Sequence, residues 1–301
     1  MGDKISFGDY LEDRTRSDSA LASILIGDSM AIGYGSRSAD VVAWPSEDTS
    51  FPRVGLWNKW TDGVRGTAAD DGTALTPVDR TQGQASTDIG PEWGVANRYA
   101  RALESARERE GGTAPQVGIA KFGLAGATTG FIPGGALSFS PLASGGAFEI
   151  FRDGYLDPMV THLKANFAEV HFDRVMILIG QADAGGTVAG TAEAFTSSLS
   201  NLVSRLANHL GLTSLPGVSL VMPPLIDRIA YPAIDLIRES HTIVADGLLR
   251  AKVIDPDSLE RGGYGLGTAR LLNEFSGQGI VSLGNALGGF ATDRTRILEK
   301  L

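Results

Sequence analysis

Few side chains in this sequence can do covalent chemistry. There is no cysteine, and the histidines are four: His162, His171, His209 and His241. Zero cysteine excludes thiol nucleophiles, disulfides, cysteine–zinc sites and iron–sulfur clusters. With no thiol in the chain, a hydroxyl is the candidate nucleophile to look for. The best placed is Ser29, which closes Ile26-Gly27-Asp28-Ser29 directly after the apolar run Ser23-Ile24-Leu25-Ile26. A serine just past a buried strand can be held on a tight turn with its hydroxyl toward solvent. The residues after it can start a helix whose N–H groups stabilise an oxyanion. The same residues equally suit a plain helix N-cap.

Two further segments follow apolar runs. Ala120 to Gly130 (AKFGLAGATTG) is rich in small residues, which let a backbone N–H approach a ligand closely. It also reads as a simple glycine-rich loop. Ile179-Gly180-Gln181-Ala182-Asp183 puts a polar cluster at the end of VMILI, a usual place for substrate contacts or for a strand-to-helix turn. Asp28, Thr128 and Gln181 are the candidate substrate contacts from these segments. Trp57 and Trp60 join them, because indole faces stack on sugar C–H surfaces; packing of the neighbouring loop onto the domain is the other use for them. No His-x-x-x-His or carboxylate–histidine cluster suggests a metal, and no cofactor is implied.

The elements that must position these groups alternate along the chain. Strands are expected at Ser23–Ile26, Gln116–Phe122, Val175–Ile179, Gly217–Met222 and Ala251–Ile254. Helical spacing marks Pro91–Glu110, Tyr155–Phe167, Thr191–Leu210 and Pro232–Arg250. His241, in the last of these, is expected on the helix surface, and the other three histidines on or near helices. Alternation of this kind predicts an α/β fold: a parallel sheet with helices on both faces and the site at the carboxyl ends of the strands. Residues 1–20 read as an N-terminal arm, and 21–301 as one domain with a long insertion at about 40–90. Within that insertion, Thr61 to Gly90 is polar and without periodicity.

Composition narrows the class. Hydrophobic residues at 43% and charged residues at 20% describe a soluble globular chain. A net charge of −9 argues against nucleic acid or an anionic membrane as main partner. No run approaches the roughly 20 apolar residues that span a bilayer. The polar start shows no signal peptide, so a cytoplasmic or signal-independent exported location is expected.

Taken in order, the segments resemble the SGNH, or GDSL-like, hydrolase superfamily, and within it the sialate O-acetylesterase type of carbohydrate esterase. Gly90-Pro91-Glu92-Trp93-Gly94 is similar to that family's GPE run, Ala125-Gly126-Ala127-Thr128 to its GGTS, and Gly180-Gln181-Ala182-Asp183 to its QGESD. The likeness runs from about Ser23 to Gly289. It implies a three-layer α/β/α sandwich of flavodoxin-like strand order, with Ser29 as nucleophile and the N–H groups of Ser29 and Gly126 in the oxyanion hole. It also implies a saccharide or acetylated glycan as partner.

The resemblance breaks at the C-terminal block. A histidine in Asp-x-x-His is expected there, yet none follows His241. Aligning Phe275-Ser276, Gly279 and Leu283-Gly284 with the family puts Glu274 at the histidine position and Leu271 at the aspartate. A second alignment puts Tyr264 there. Ala182 stands where many relatives carry an oxyanion-hole asparagine. Glu274, or Asp183, is then the candidate base if burial raises its pKa. Two readings follow: a serine carbohydrate esterase, or a catalytically degenerate carbohydrate-binding or structural protein, such as a homo-oligomeric or virion (phage tail or spike) component.

Overall fold

In a computed structural model, the protein is described over residues 3–12, 18–33, 39, 41, 44–57, 75–80, 88–110, 115–130, 138–140, 146–185, 191–225, 229–261, 275–289 and 297–301. In chain order the elements are β1 (Lys4–Ser6), α1 (Phe7–Glu12), β2 (Ser19–Gly27), α2 (Ser29–Ile32), β3 (Ser50–Trp57), β4 (Leu75–Asp79), α3 (Glu92–Glu110), β5 (Gln116–Gly123), α4 (Ala147–Phe151), a π-helical turn over Arg152–Leu156, α5 (Asp157–Asn166), β6 (Glu169–Leu178), α6 (Gln181–Ala184), α7 (Thr191–His209), β7 (Val218–Val221), α8 (Ile234–Asp246), β8 (Ala251–Ile254), α9 (Pro256–Arg261), α10 (Gly277–Gly288) and β9 (Ile297–Lys300).

The centre of the sheet is β2, whose nine residues are all buried. Such a strand needs cover on both faces and neighbours on both edges. It has them: β5 and β6 pair with it in parallel. Beyond β6 lie β7 and then β8, again parallel. The order β5-β2-β6-β7-β8 is the expected flavodoxin-like one. The period-2 alternation of β2 divides the core. Ala20, Ala22, Ile24 and Ile26 face a layer built by α4, α5, α7 and α8. Leu21 and Leu25 face the layer of α1, α3 and α10. This is the sheet covered on both faces that the alternation predicts, and the three-layer sandwich that the resemblance implies.

The segments read as arm and insertion add to the same sheet. Residues 4–6 form β1, antiparallel to β9, and Phe7 and Tyr10 of α1 are buried in the core. Within the insertion, β3 pairs with β5 in parallel and β4 with β3 antiparallel.

Two buried polar clusters fix the helices of one layer to the sheet. Between Ala22 and Ser23 the pairing of β2 with β6 shifts, leaving Asp173 as the extra residue of a bulge. Its carboxylate accepts from the Tyr99 hydroxyl on α3 and from Arg174 Nε at 3.0 Å. Arg174 Nη1 donates to the Leu287 carbonyl of α10 at 2.8 Å. Nearer the site, Lys121 Nζ on β5 meets Glu92 Oε2, at the first residue of α3, at 2.8 Å. Both groups are buried, and burial holds the Glu92 pKa above its ordinary value, against the pull of Lys121.

Candidate active site

The three expected segments are the turns leaving β2, β5 and β6, side by side at the carboxyl end of the sheet. The first is built by close approach. A Cβ on Gly27 would lie 1.9 Å from the Leu178 carbonyl oxygen, so only glycine lets β2 end this near β6. Asp28 N then donates to Leu178 O at 2.8 Å, and Leu124 N to Gly27 O at 3.1 Å. The turn is thus bracketed by the ends of both neighbouring strands.

The cap and the nucleophile position fall on different residues. Asp28 is the N-cap of α2, its Oδ1 accepting from Met30 N at 3.0 Å. Ser29 is therefore the first helical residue, half-buried, with its hydroxyl uncommitted to capping. That hydroxyl donates to Gln181 Oε1 at 3.3 Å. The other oxygen of Asp28 accepts from Gln181 N at 3.2 Å, so the first turn holds the third.

A second carboxylate ties the third turn to the middle one. Asp183, buried on α6, accepts from Thr129 N at 3.1 and 3.2 Å and from Thr129 Oγ1 at 3.0 Å. Asp183 thus faces Thr129 and makes no hydrogen bond to Ser29. In the middle turn, Gly126 has φ +76 and is exposed, with open space where a Cβ would stand. Thr128 is buried, and its carbonyl accepts from Phe139 N at 2.9 Å.

Both carboxylates titrate high. Burial raises the pKa of Asp28 to about 7; the N–H bonds from Met30 and Gln181 oppose this, and the neighbouring Asp183 charge adds to it. Burial raises that of Asp183 to about 6, against the Thr129 bonds. The floor of the site therefore changes charge close to neutrality.

The four histidines lie elsewhere. The His162 ring packs on Trp57 at 5.2 Å, His171 Nε2 is 3.4 Å from Glu169, and His209 Nε2 is 2.5 Å from Asp157. None is hydrogen-bonded to Ser29. His241 corrects the sequence expectation: it is fully buried, not on the helix surface. It belongs to the stripe Ile234, Ile237, His241, Val244 that α8 turns inward, a spacing visible in the sequence. Trp57 is a second correction. At 2% exposure it is core, with no indole face open to a sugar. Trp60, Glu274, Tyr264 and Leu271 lie outside the described residues. Among the described residues, no group of three or more His, Asp or Glu side chains could hold a metal ion. No helix there is long and apolar enough to cross a membrane.

No family model matches the sequence, and no curated protein matches it. Solved structures do match. That of NanS covers 92% of this chain and 99% of its own, at TM-score 0.59 and 14% identity. Est24, a carbohydrate acetylesterase from Sinorhizobium meliloti, aligns over 91% and 98%, at TM-score 0.44 and 14% identity. The motif resemblance is joined by one of architecture: the chain shares the α/β fold of the NanS structure.

Proposed function

We propose that this chain is a serine ester hydrolase that removes acetyl groups from carbohydrate, with Ser29 as nucleophile. One observation carries this reading. Ser29 opens α2 at the end of the central strand, Asp28 does the capping, and the serine hydroxyl is left to bond Gln181 where the turns meet. In the reaction, Ser29 Oγ attacks the acetyl carbonyl while its proton passes to a base. The N–H groups of Ser29 and Gly126 take up the charge that develops on the carbonyl oxygen. The sugar oxygen leaves with a proton, and water then releases acetate from the serine. Glu274 is the base in this scheme, a role a carboxylate fills once its pKa is raised toward neutrality. The sialate O-acetylesterase likeness of the motifs supports the substrate class.

A second reading has its own observation. The hydroxyl of Ser29 meets an amide oxygen, which orients it without accepting its proton, and all four histidines are committed elsewhere. A saccharide-binding protein without turnover would tolerate that. Hydrolysis of p-nitrophenyl acetate and of O-acetylated sugars by wild type and Ser29→Ala separates the two. The esterase predicts a rate that falls to background in the variant, a drop of about 1000-fold or more. Equal rates would remove the enzyme and leave binding, which a glycan array then checks.

A further inference from the structure

His241 is a buried titratable group that the proposed reaction does not use. Its ring is held between two main-chain carbonyls: Nδ1 lies 2.8 Å from Ile237 O, and Nε2 lies 3.0 Å from Ile179 O. A neutral imidazole carries one N–H and can satisfy only one of them. The two carbonyls are not equal. Ile237 O lies inside α8, one turn before His241, where a helical backbone N–H serves it. Ile179 O lies past the end of β6, and the imidazole is the donor it has among the described residues. Leaving a buried carbonyl unpaired is costly, so the proton belongs on Nε2.

The placement gives this bond a consequence. Ile179 leads directly into Gly180, whose φ of +128 turns the chain toward Gln181. Gly180 has no slack: a Cβ there would come within 2.9 Å of Ile237 Cγ2 and 3.2 Å of both His241 Cε1 and Phe195 Cζ. The next residue, Gln181, bonds the Ser29 hydroxyl through its side chain and Asp28 through its N–H. We infer that His241 is a positioning residue: as the Nε2–H tautomer it anchors the Ile179–Gly180 backbone and so sets where Gln181 holds Ser29. The inference rests on the proposed role of Ser29 and adds to it a residue that touches no substrate.

The test uses the whole chain, with one readout that does not need turnover. In wild type, the imidazole nitrogen resonances of His241 should report a neutral Nε2–H ring, unchanged from pH 6 to 8. In His241→Phe, which keeps a ring but no donor, the Gln181 and Ser29 amide resonances should move. kcat for p-nitrophenyl acetate should fall about tenfold, with KM within twofold. His241→Gln, which restores a donor, should recover part of both effects. An Nδ1–H ring in wild type would overturn the inference, as would unmoved Gln181 and Ser29 amides in a folded His241→Phe. If His241→Phe does not fold, the wild-type tautomer still decides. If wild type has no esterase activity, the amide shifts and the tautomer decide alone, so the two readings fail separately.

Discussion

At the scale of single residues, the site is organised by two carboxyl groups kept out of water. Asp28 accepts from Met30 N and Gln181 N, and its pKa is raised from 3.8 to about 7, burial being the largest cause. A raised carboxylate pKa means that the folded state holds its proton after the unfolded state has lost it. Its contribution to stability is therefore complete below about pH 4 and is lost as pH rises to about 7. The slope is about 1.4 kcal/mol per pH unit for one group. Asp183 acts in the same sense up to about pH 6. His241, lowered by burial to about 4, acts in the opposite sense, penalising the fold as pH falls below 6.5. The wild-type profile mixes all three, so the test is a difference. Asp28→Asn lacks the titration and one of the two acceptors. Its unfolding free energy, from urea titrations at pH 4.5 to 7.5, should gain on wild type as pH rises, by up to roughly 3 kcal/mol. Parallel profiles would show that Asp28 is ionised throughout.

At the scale of elements, the turns depend on two kinds of glycine that a composition cannot tell apart. Gly27 is a packing glycine: a methyl there would meet Leu178 O at 1.9 Å, backbone against backbone. Gly126 is a conformational glycine, at φ +76 with nothing within 4 Å of an added Cβ. Gly27→Ala must part β2 from β6 and break the Asp28 N–Leu178 O bond, a loss of about 3 kcal/mol or more. Gly126→Ala meets only left-handed strain, about 1–2 kcal/mol. Urea unfolding of both variants should give that ranking, and equal losses would overturn the distinction. The turns themselves were legible in the sequence, because each is small or polar residues straight after an apolar run. Their lacing was not. Asp28 reaches a partner 153 positions on, and Asp183 one 54 positions back, and only the strand order brings these together. For Trp57 the sequence leaves groove and core both open, for a related reason. Its large apolar ring suits a groove or a core, and the end of β3 delivers it to the core.

At the scale of the whole molecule, the parallel centre of the sheet was legible and its edges were not. The strands β2, β5, β6, β7 and β8 announce themselves as apolar runs between helical stretches. In contrast, β1 has three residues and β9 four, and β3 is broken by exposed Pro52 and Arg53. Pairing for such strands is decided by tertiary neighbours rather than by pattern. The two ends of the described chain are joined in this way. Lys4 pairs with Glu299 in register and by a 2.6 Å ion pair, and Lys300 N donates to Asp3 O at 3.1 Å. Behind β1, Phe7 and Tyr10 are buried, Tyr10 with its ring edge on His171 at 5.6 Å. Removing residues 1–12 deletes these two aromatic side chains from the core, at about 1.5–3 kcal/mol each. It also leaves β9 without its outer partner. For a domain whose total stability is about 5–15 kcal/mol, that is a large fraction, and the melting temperature should fall by about 10 °C. The three turns lie at the other end of β6 from His171, where β9 and Tyr10 pack. Ester hydrolysis per folded molecule, measured well below the melting point, should therefore stay within about twofold of the full chain. A detachable arm would leave the melting temperature unchanged, and that result in a thermal scan of the shortened protein would show that α1 adds nothing to the core.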